Sequence, residues 1–152
     1  MEKFEEHIDE LGIVLPSLPG SIANYLPAKQ VGNLIFTAGQ VSVADGHEYK
    51  GKLGDNISLD DARAATKACA INCLAAIKSV AGSLDNIKQV VAVHGLVNST
   101  ADCEDQAKAM NGASDFVVDV FGESGMHTRT AVGVANLPMG FAASVYMIVE
   151  VE

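Results

Sequence analysis

The stretch His127-Thr128-Arg129-Thr130-Ala131-Val132-Gly133-Val134-Ala135-Asn136-Leu137-Pro138 decides how the rest of the chain is read. At a period of two it is a strand, with Thr130, Val132 and Val134 on one face and Arg129, Ala131, Gly133 and Ala135 on the other. The first face is β-branched and is expected to pack into a core. The second sets one long cation beside three residues too small to fill the space in front of it. A planar guanidinium over such a floor can fork a carboxylate, each charge-assisted bond contributing roughly 1.5–3 kcal/mol. The same pattern also suits an arginine at a sheet rim that snorkels to water.

Around this strand the chain reads as one domain, 1–152, with 1–19 as an N-terminal helical extension. Its 152 residues can bury a good core without disulfides or metal. With 49% hydrophobic and 19% charged residues the composition is that of an ordinary globular chain. No uninterrupted apolar run approaches the ~18 residues of a spanning helix. Met1-Glu2-Lys3-Phe4-Glu5-Glu6 is acidic and lacks the apolar region of a secretion signal, so a cytoplasmic location without a membrane partner is expected. Cys69 and Cys73 fall one helical turn apart and Cys103 lies elsewhere. That spacing suits buried packing residues, and neither a metal nor another cofactor is expected. The net charge of −9, scattered cations and 5% aromatic residues provide neither a basic stripe nor a stacking platform. Nucleic acid is therefore not an expected partner. A small anion would need a local positive site such as Arg129.

In chain order, Phe4, Ile8 and Leu11 at helical spacing among acidic residues predict a short docking helix that stops near Gly12. Pro16, Pro19 and Gly20 break regular structure. Asn24 to Val31 and Leu34 to Gln40 form a hairpin about Gly32-Asn33, with Gly39 either admitting another backbone or a ligand, or serving a bulge or turn. Val41 to Ile57 reads as a long surface loop in which His47 and Glu48 are solvated. Ser58 and Asp61 resemble a capping box for a helix that runs to about Ala81 and ends at Gly82. Its sheet face is Leu59, Ala62, Ala65, Cys69, Cys73, Ala76, Ile77 and Val80, with Ile71 and Leu74 on the outer side. Ile87 to Val97 is a central strand with Val91, Val93 and Val97 on one face and Val90, Ala92, a hydrogen-bonded structural His94 and Leu96 on the other. A helix from about Asp102 to Phe121 is interrupted near Asn111-Gly112, exposing Asn111. The last strand, Ala142 to Val151, has Val145, Met147, Val149 and Val151 on its core face.

This order gives an α+β fold, a mixed β-sheet with two main helices packed on one face, plus the short N-terminal helix. The second face includes Ile148 and one side of the central strand, and nothing remains in the chain to cover it. Association through that face is expected.

Ile22-Ala23-Asn24-Tyr25, Phe36-Thr37-Ala38-Gly39-Gln40, Asn111 and the block from Thr128 to Pro138 together resemble the YjgF/RidA family of small trimeric proteins with a chorismate-mutase-like fold. The likeness runs from about Gly20 onward. The longer N-terminus, larger loop and Ala-Val-Gly-Val core resemble the branch labelled YjgF-like or "putative endoribonuclease". The resemblance implies a homotrimer with clefts between subunits, each centred on Arg129 as the anchor of a small carboxylate-bearing metabolite. Tyr25, Ala38, Gly39, Asn111 and Ala131 match neighbouring binding positions of the family. Active members hydrolyse reactive enamines and imines, including 2-imino acids, to oxo acids and ammonia, using a glutamate on the last strand. Ser144 occupies that position here, and Ala38 and Ala131 stand where serine and cysteine are common. The resemblance thus implies either an enamine/imine deaminase anchored by Arg129 or a non-catalytic trimeric binder. Glu150 and Glu123 are candidates for a substitute acid. A ribonuclease activity is disfavoured by the charge and by the lack of catalytic histidines paired in sequence.

Overall fold

In the computed structural model, which describes residues 3–18 and 24–152, the chain runs α1 (Phe4–Glu10), β1 (Ala28–Val31), β2 (Leu34–Thr37), β3 (Gln40–Val41), β4 (Val43–Ala44), β5 (His47–Glu48), α2 (Leu59–Ala81), β6 (Ile87–Asn98), α3 (Gln106–Phe121), β7 (Thr128–Val134) and β8 (Ala143–Val151). Pro19, Gly20, Ile22 and Ala23, which figured in the sequence reading, lie outside the described residues. The main sheet has the order β1-β2-β8-β6-β7, with β3 also pairing with β8. β8 is antiparallel to β2 and β6, while β7 lies parallel to β6 after the crossover through α3. α3 therefore returns the chain from β6 to its parallel neighbour β7, as a crossover unit requires, whereas α2 carries the chain past the place that β8 later fills between β2 and β6.

α2 starts where its cap predicts, with the Asp61 backbone N–H donating to Ser58 Oγ at 3.0 Å. It ends at Gly82, whose φ of 83° is a conformation that L side chains rarely adopt. Burial matches the predicted face except at its ends and back. Val80 is exposed, whereas Leu74, expected on the outer side, is fully buried. α2 is long and apolar enough by composition to cross a membrane, but most of it is buried here against the sheet and α3. Cys69 and Cys73 are packing residues. Burial drives both thiols up, Cys73 to about 12, and their Sγ atoms point at the Ala143 and Val145 carbonyls.

α3 begins at Gln106 rather than Asp102 and passes through Asn111-Gly112 without a break. Gly112 serves contact, not a kink: a Cβ there would lie 2.0 Å from the Arg63 carbonyl oxygen. Beside it the Thr66 hydroxyl donates to the Ala109 carbonyl at 2.7 Å and accepts from the Ala113 N–H at 3.1 Å. One side chain of α2 is thus spliced into the hydrogen-bond ladder of α3, fixing how the helix presents Asn111 and Ser114.

Val93 and Val97 of β6 and Val145, Met147 and Val149 of β8 face the helices and are fully buried. Two strand expectations fail. A register shift between Val90 and Ala92 inserts an extra residue, so Val90 turns into the core instead of sharing the face of Ala92. The β-branched face of β7 is not core either, since Val132 remains 43% exposed. Its register partners Val93↔Arg129, Gly95↔Ala131 and Val97↔Gly133 place the small-residue face on the helix side instead. β7 is an edge strand, and Thr130 and Val132 join Phe36, Tyr146, Ile148 and Leu96 on the face without helices. His94 lies there too, with its ring 4.8 Å from that of Tyr146, and stacking replaces the expected hydrogen bond.

The expected long loop holds a small hairpin, β4–β5, turning at Asp45 and Gly46, both at positive φ. β1 starts only at Ala28, and the segment from Asn24 to Pro27 is not strand. α1 docks as predicted, with Phe4 edge-on to Phe121 at 4.7 Å and His7 Nδ1 3.0 Å from the Val120 carbonyl oxygen.

Candidate functional site

Arg129 stands on the edge strand β7 and reaches across to α3. Its Nη1 donates to Asn111 Oδ1 at 2.8 Å and to Ser114 Oγ at 3.4 Å. Asn111 and Ser114 are three residues apart, one helical turn, so a single face of α3 presents both. No carboxylate lies within ion-pair distance of Arg129 among the described residues, and its Nε and second terminal nitrogen make no hydrogen bond there. This leaves the side edge of the guanidinium available for a forked contact with a carboxylate. The floor beside it is small because α3 lies close: a Cβ on Gly95 would meet Met110 Sδ at 2.0 Å, and one on Gly133 would meet Gln106 Nε2 at 2.7 Å.

Arg129 opens on a concavity of about 660 Å³ lined by Ser114, Asp115, Val118, Asp119, Met126 and His127. His127 is half-buried, with Nε2 2.9 Å from Ser114 Oγ and Nδ1 2.6 Å from the Gly125 carbonyl oxygen. A second concavity of about 570 Å³ lies toward the far end of β7, lined by Lys52, Ser99, Gln106 and Gly133. The Lys52 ammonium donates there to Asn98 Oδ1 at 2.7 Å and to the Ala135 carbonyl oxygen.

The structure gathers only part of the expected site. Arg129, Asn111 and Ala131 come together on the helix side of β7. Ser144 belongs to β8, two strands away, and faces the opposite side of the sheet. Gly39 is next to it, since a Cβ on Gly39 would sit 2.9 Å from Ser144 Oγ. Ala38 precedes Gly39 and donates its N–H to the Pro27 carbonyl. Tyr25 is 58% exposed just before β1, the other edge of the sheet. One chain therefore carries two groups of site positions, Arg129 with Asn111 and Ala131, and Ser144 with Ala38 and Gly39. Within the chain they do not meet.

Neither candidate substitute acid is at the arginine. Glu150 is 3.2 Å from Lys88 Nζ in an ion pair, and Glu123 belongs to the short turn Gly122–Gly125 and does not line the concavity. Ser114, Asp115, Asp119 and Lys52 were missed by the sequence reading. Ser114 alone had a local signal, its one-turn spacing from Asn111. The others come to β7 through the tertiary fold.

Residues 5–151 match the family described as YjgF/chorismate mutase-like, putative endoribonuclease. Protein TCP17 of Trypanosoma cruzi is 37% identical over 148 residues, covering 96% of this chain and 92% of that protein. The crystal structure of Atu1372 from Agrobacterium tumefaciens, a protein of unknown function, superposes with a TM-score of 0.89 at 35% identity, covering 98% of this chain and 93% of the other. That of a "putative endoribonuclease" from Shewanella oneidensis MR-1 reaches a TM-score of 0.93 at 30% identity, covering 99% and 100%.

Proposed function

The chain belongs to the YjgF/RidA family, and from that premise we propose that it is an enamine/imine deaminase, hydrolysing reactive 2-imino acids to 2-oxo acids and ammonia with the carboxylate held by Arg129. The observation that carries this reading is the guanidinium itself, fixed by two neutral acceptors on α3 and lacking an internal carboxylate partner among the described residues. Two charge-assisted bonds to a ligand carboxylate would supply about 3–6 kcal/mol of anchoring. Holding an intrinsically hydrolysable imine in a fixed orientation already lowers its barrier.

The reading includes a homotrimer with its clefts between subunits. Phe36, Tyr146 and Val132 are partly exposed on the helix-free sheet face, and β7 has an unpaired edge. An apolar sheet face and an open strand edge both favour association. A cleft between copies would let Ser144 and Gly39 of one chain approach Arg129 of another, which the separation within one chain prevents.

Ser144 favours a second reading, a trimer that binds a small carboxylate metabolite without turning it over. It stands at the family's glutamate position, and loss of a positioned acid or base typically costs about 10²–10⁴ in rate. The decisive experiment follows 2-oxo acid release from an enamine generated in situ by a dehydratase. Acceleration by the wild type that disappears in Arg129→Ala is the expected result. No acceleration by the wild type, with activity gained in Ser144→Glu, would establish the binder instead.

A further inference from the structure

Ser114 and His127 form a relay whose proton positions follow from its neighbours. The Gly125 carbonyl oxygen, 2.6 Å from His127 Nδ1, can only accept, so Nδ1 carries the ring proton. In the neutral ring Nε2 is then an acceptor, and Ser114 Oγ at 2.9 Å donates to it. The Ser114 lone pairs are left facing Arg129, whose Nη1 lies 3.4 Å away. The two N–H groups of an imidazolium would find the Gly125 carbonyl and Ser114 Oγ already in place as acceptors.

Resting on the deaminase reading, we propose that Ser114 is a catalytic residue of this cleft and His127 its positioning and proton-storing partner, together doing the work that the family glutamate does elsewhere. Arg129, Ser114 and His127 line one concavity, so a small imino acid held there can set its carboxylate against the guanidinium and its iminium carbon toward Ser114 Oγ. Water attacks that carbon, forming the C–O bond while the C=N π pair moves to nitrogen. One water proton passes to Ser114 Oγ as the serine's own proton passes to His127 Nε2. The imidazolium then returns a proton through Ser114 to the amine. The C–N bond breaks as the C=O bond forms, and the hydroxyl proton leaves with ammonia as ammonium. The other charged groups facing the ring are Asp115 and Asp119 of α3 and Arg129 of β7.

The test measures 2-oxo acid release from pH 5.5 to 8.5, together with calorimetric binding of 2-oxobutanoate, in the wild type and in Ser114→Ala, Ser114→Thr, His127→Gln and Arg129→Ala. In the wild type kcat/KM should rise with pH, the direction expected when a general base takes a proton from the attacking water. His127→Gln should bind 2-oxobutanoate within about threefold of wild type and Ser114→Ala, which also removes one acceptor from Arg129, within about tenfold, while both lose about 10²-fold or more in kcat and lose that rise. Ser114→Thr, which keeps the hydroxyl, should restore most of the rate. Arg129→Ala should lose binding and rate together. Wild-type rates and pH profiles in both Ser114→Ala and His127→Gln would overturn the relay while leaving the deaminase standing. A wild type inactive at every pH would overturn both.

Discussion

Two polar clusters, one tying α1 to the end of α2 and one tying β7 to α3, are built on opposite plans. At α1, Glu5 accepts from Lys78 Nζ at 2.9 Å, the Leu84 N–H at 3.0 Å and Ser83 Oγ at 3.3 Å, while its own N–H donates to Asp85 Oδ1 at 2.9 Å. Charge there meets opposite charge and the cluster is closed. At β7, Arg129 meets only the neutral oxygens of Asn111 and Ser114 among the described residues. Among the described residues six of the ten Lys and Arg side chains are ion-paired, and Arg129, like Lys29, Lys52 and Lys67, is not, in a protein of net charge −9. A matched cluster stabilises the fold; an oriented but unneutralised one is positioned for a ligand.

Breaking the open cluster should have the largest effect. Arg129→Ala should weaken 2-oxobutanoate binding by about 10²-fold or more, from the loss of two charge-assisted bonds, with the melting temperature unchanged. Arg129→Lys keeps the charge but loses the fork, and calorimetry should place it between the two. Affinity unaltered in Arg129→Ala would remove the distinction between the clusters.

Gly112→Ala should sharpen the comparison through packing. The added methyl meets the Arg63 carbonyl, forcing α3 away from α2 at a cost of about 1–3 kcal/mol by denaturant titration. Because Asn111 and Ser114 move with α3, carboxylate binding should fall too. Wild-type stability in this variant would refute the close helix contact.

Glu5→Gln should have a smaller effect, about 1 kcal/mol, because the pair is partly open to solvent. Limited proteolysis should release the N-terminal segment sooner while carboxylate affinity stays at the wild-type value. Lowering the pH should act on the same cluster. Burial pushes the Glu5 carboxyl up, but its bonds to Leu84, Lys78 and Ser83 outweigh this and leave its pKa below the ordinary value of 4.5. A depressed carboxyl contributes stability that is fully present above the unfolded-state pKa and lost as pH falls through the folded-state one. The docking of α1 should therefore weaken only below about pH 4.5, followed by the fluorescence of a label on α1.

Local spacing made much of the architecture legible. The Ser58 cap, the Gly82 stop, the alternation from Val145 to Val151 and the small-residue face beside Arg129 are short-range patterns, and each has its structural counterpart. The face assignments failed where a distant element intervened. Period two does not say which side of β7 the helices cover, and the bulge after Val90 leaves no trace in an unbroken apolar run. Gly112 looked like a helix breaker because propensity counts only the chain's own entropy, whereas its role is contact with Arg63 on another helix.

The sequence by itself determined the family, the α+β order and the small-residue face beside Arg129, because these reside in residue identity and in neighbours a few positions apart. Only the tertiary structure decided that Arg129 and Ser144 face opposite sides of one sheet, and that His127 and Ser114, on different elements, lie 2.9 Å apart beside the arginine. The reason is that sheet order, register and helix crossing are set by long-range packing, and those three together fix which side chains meet.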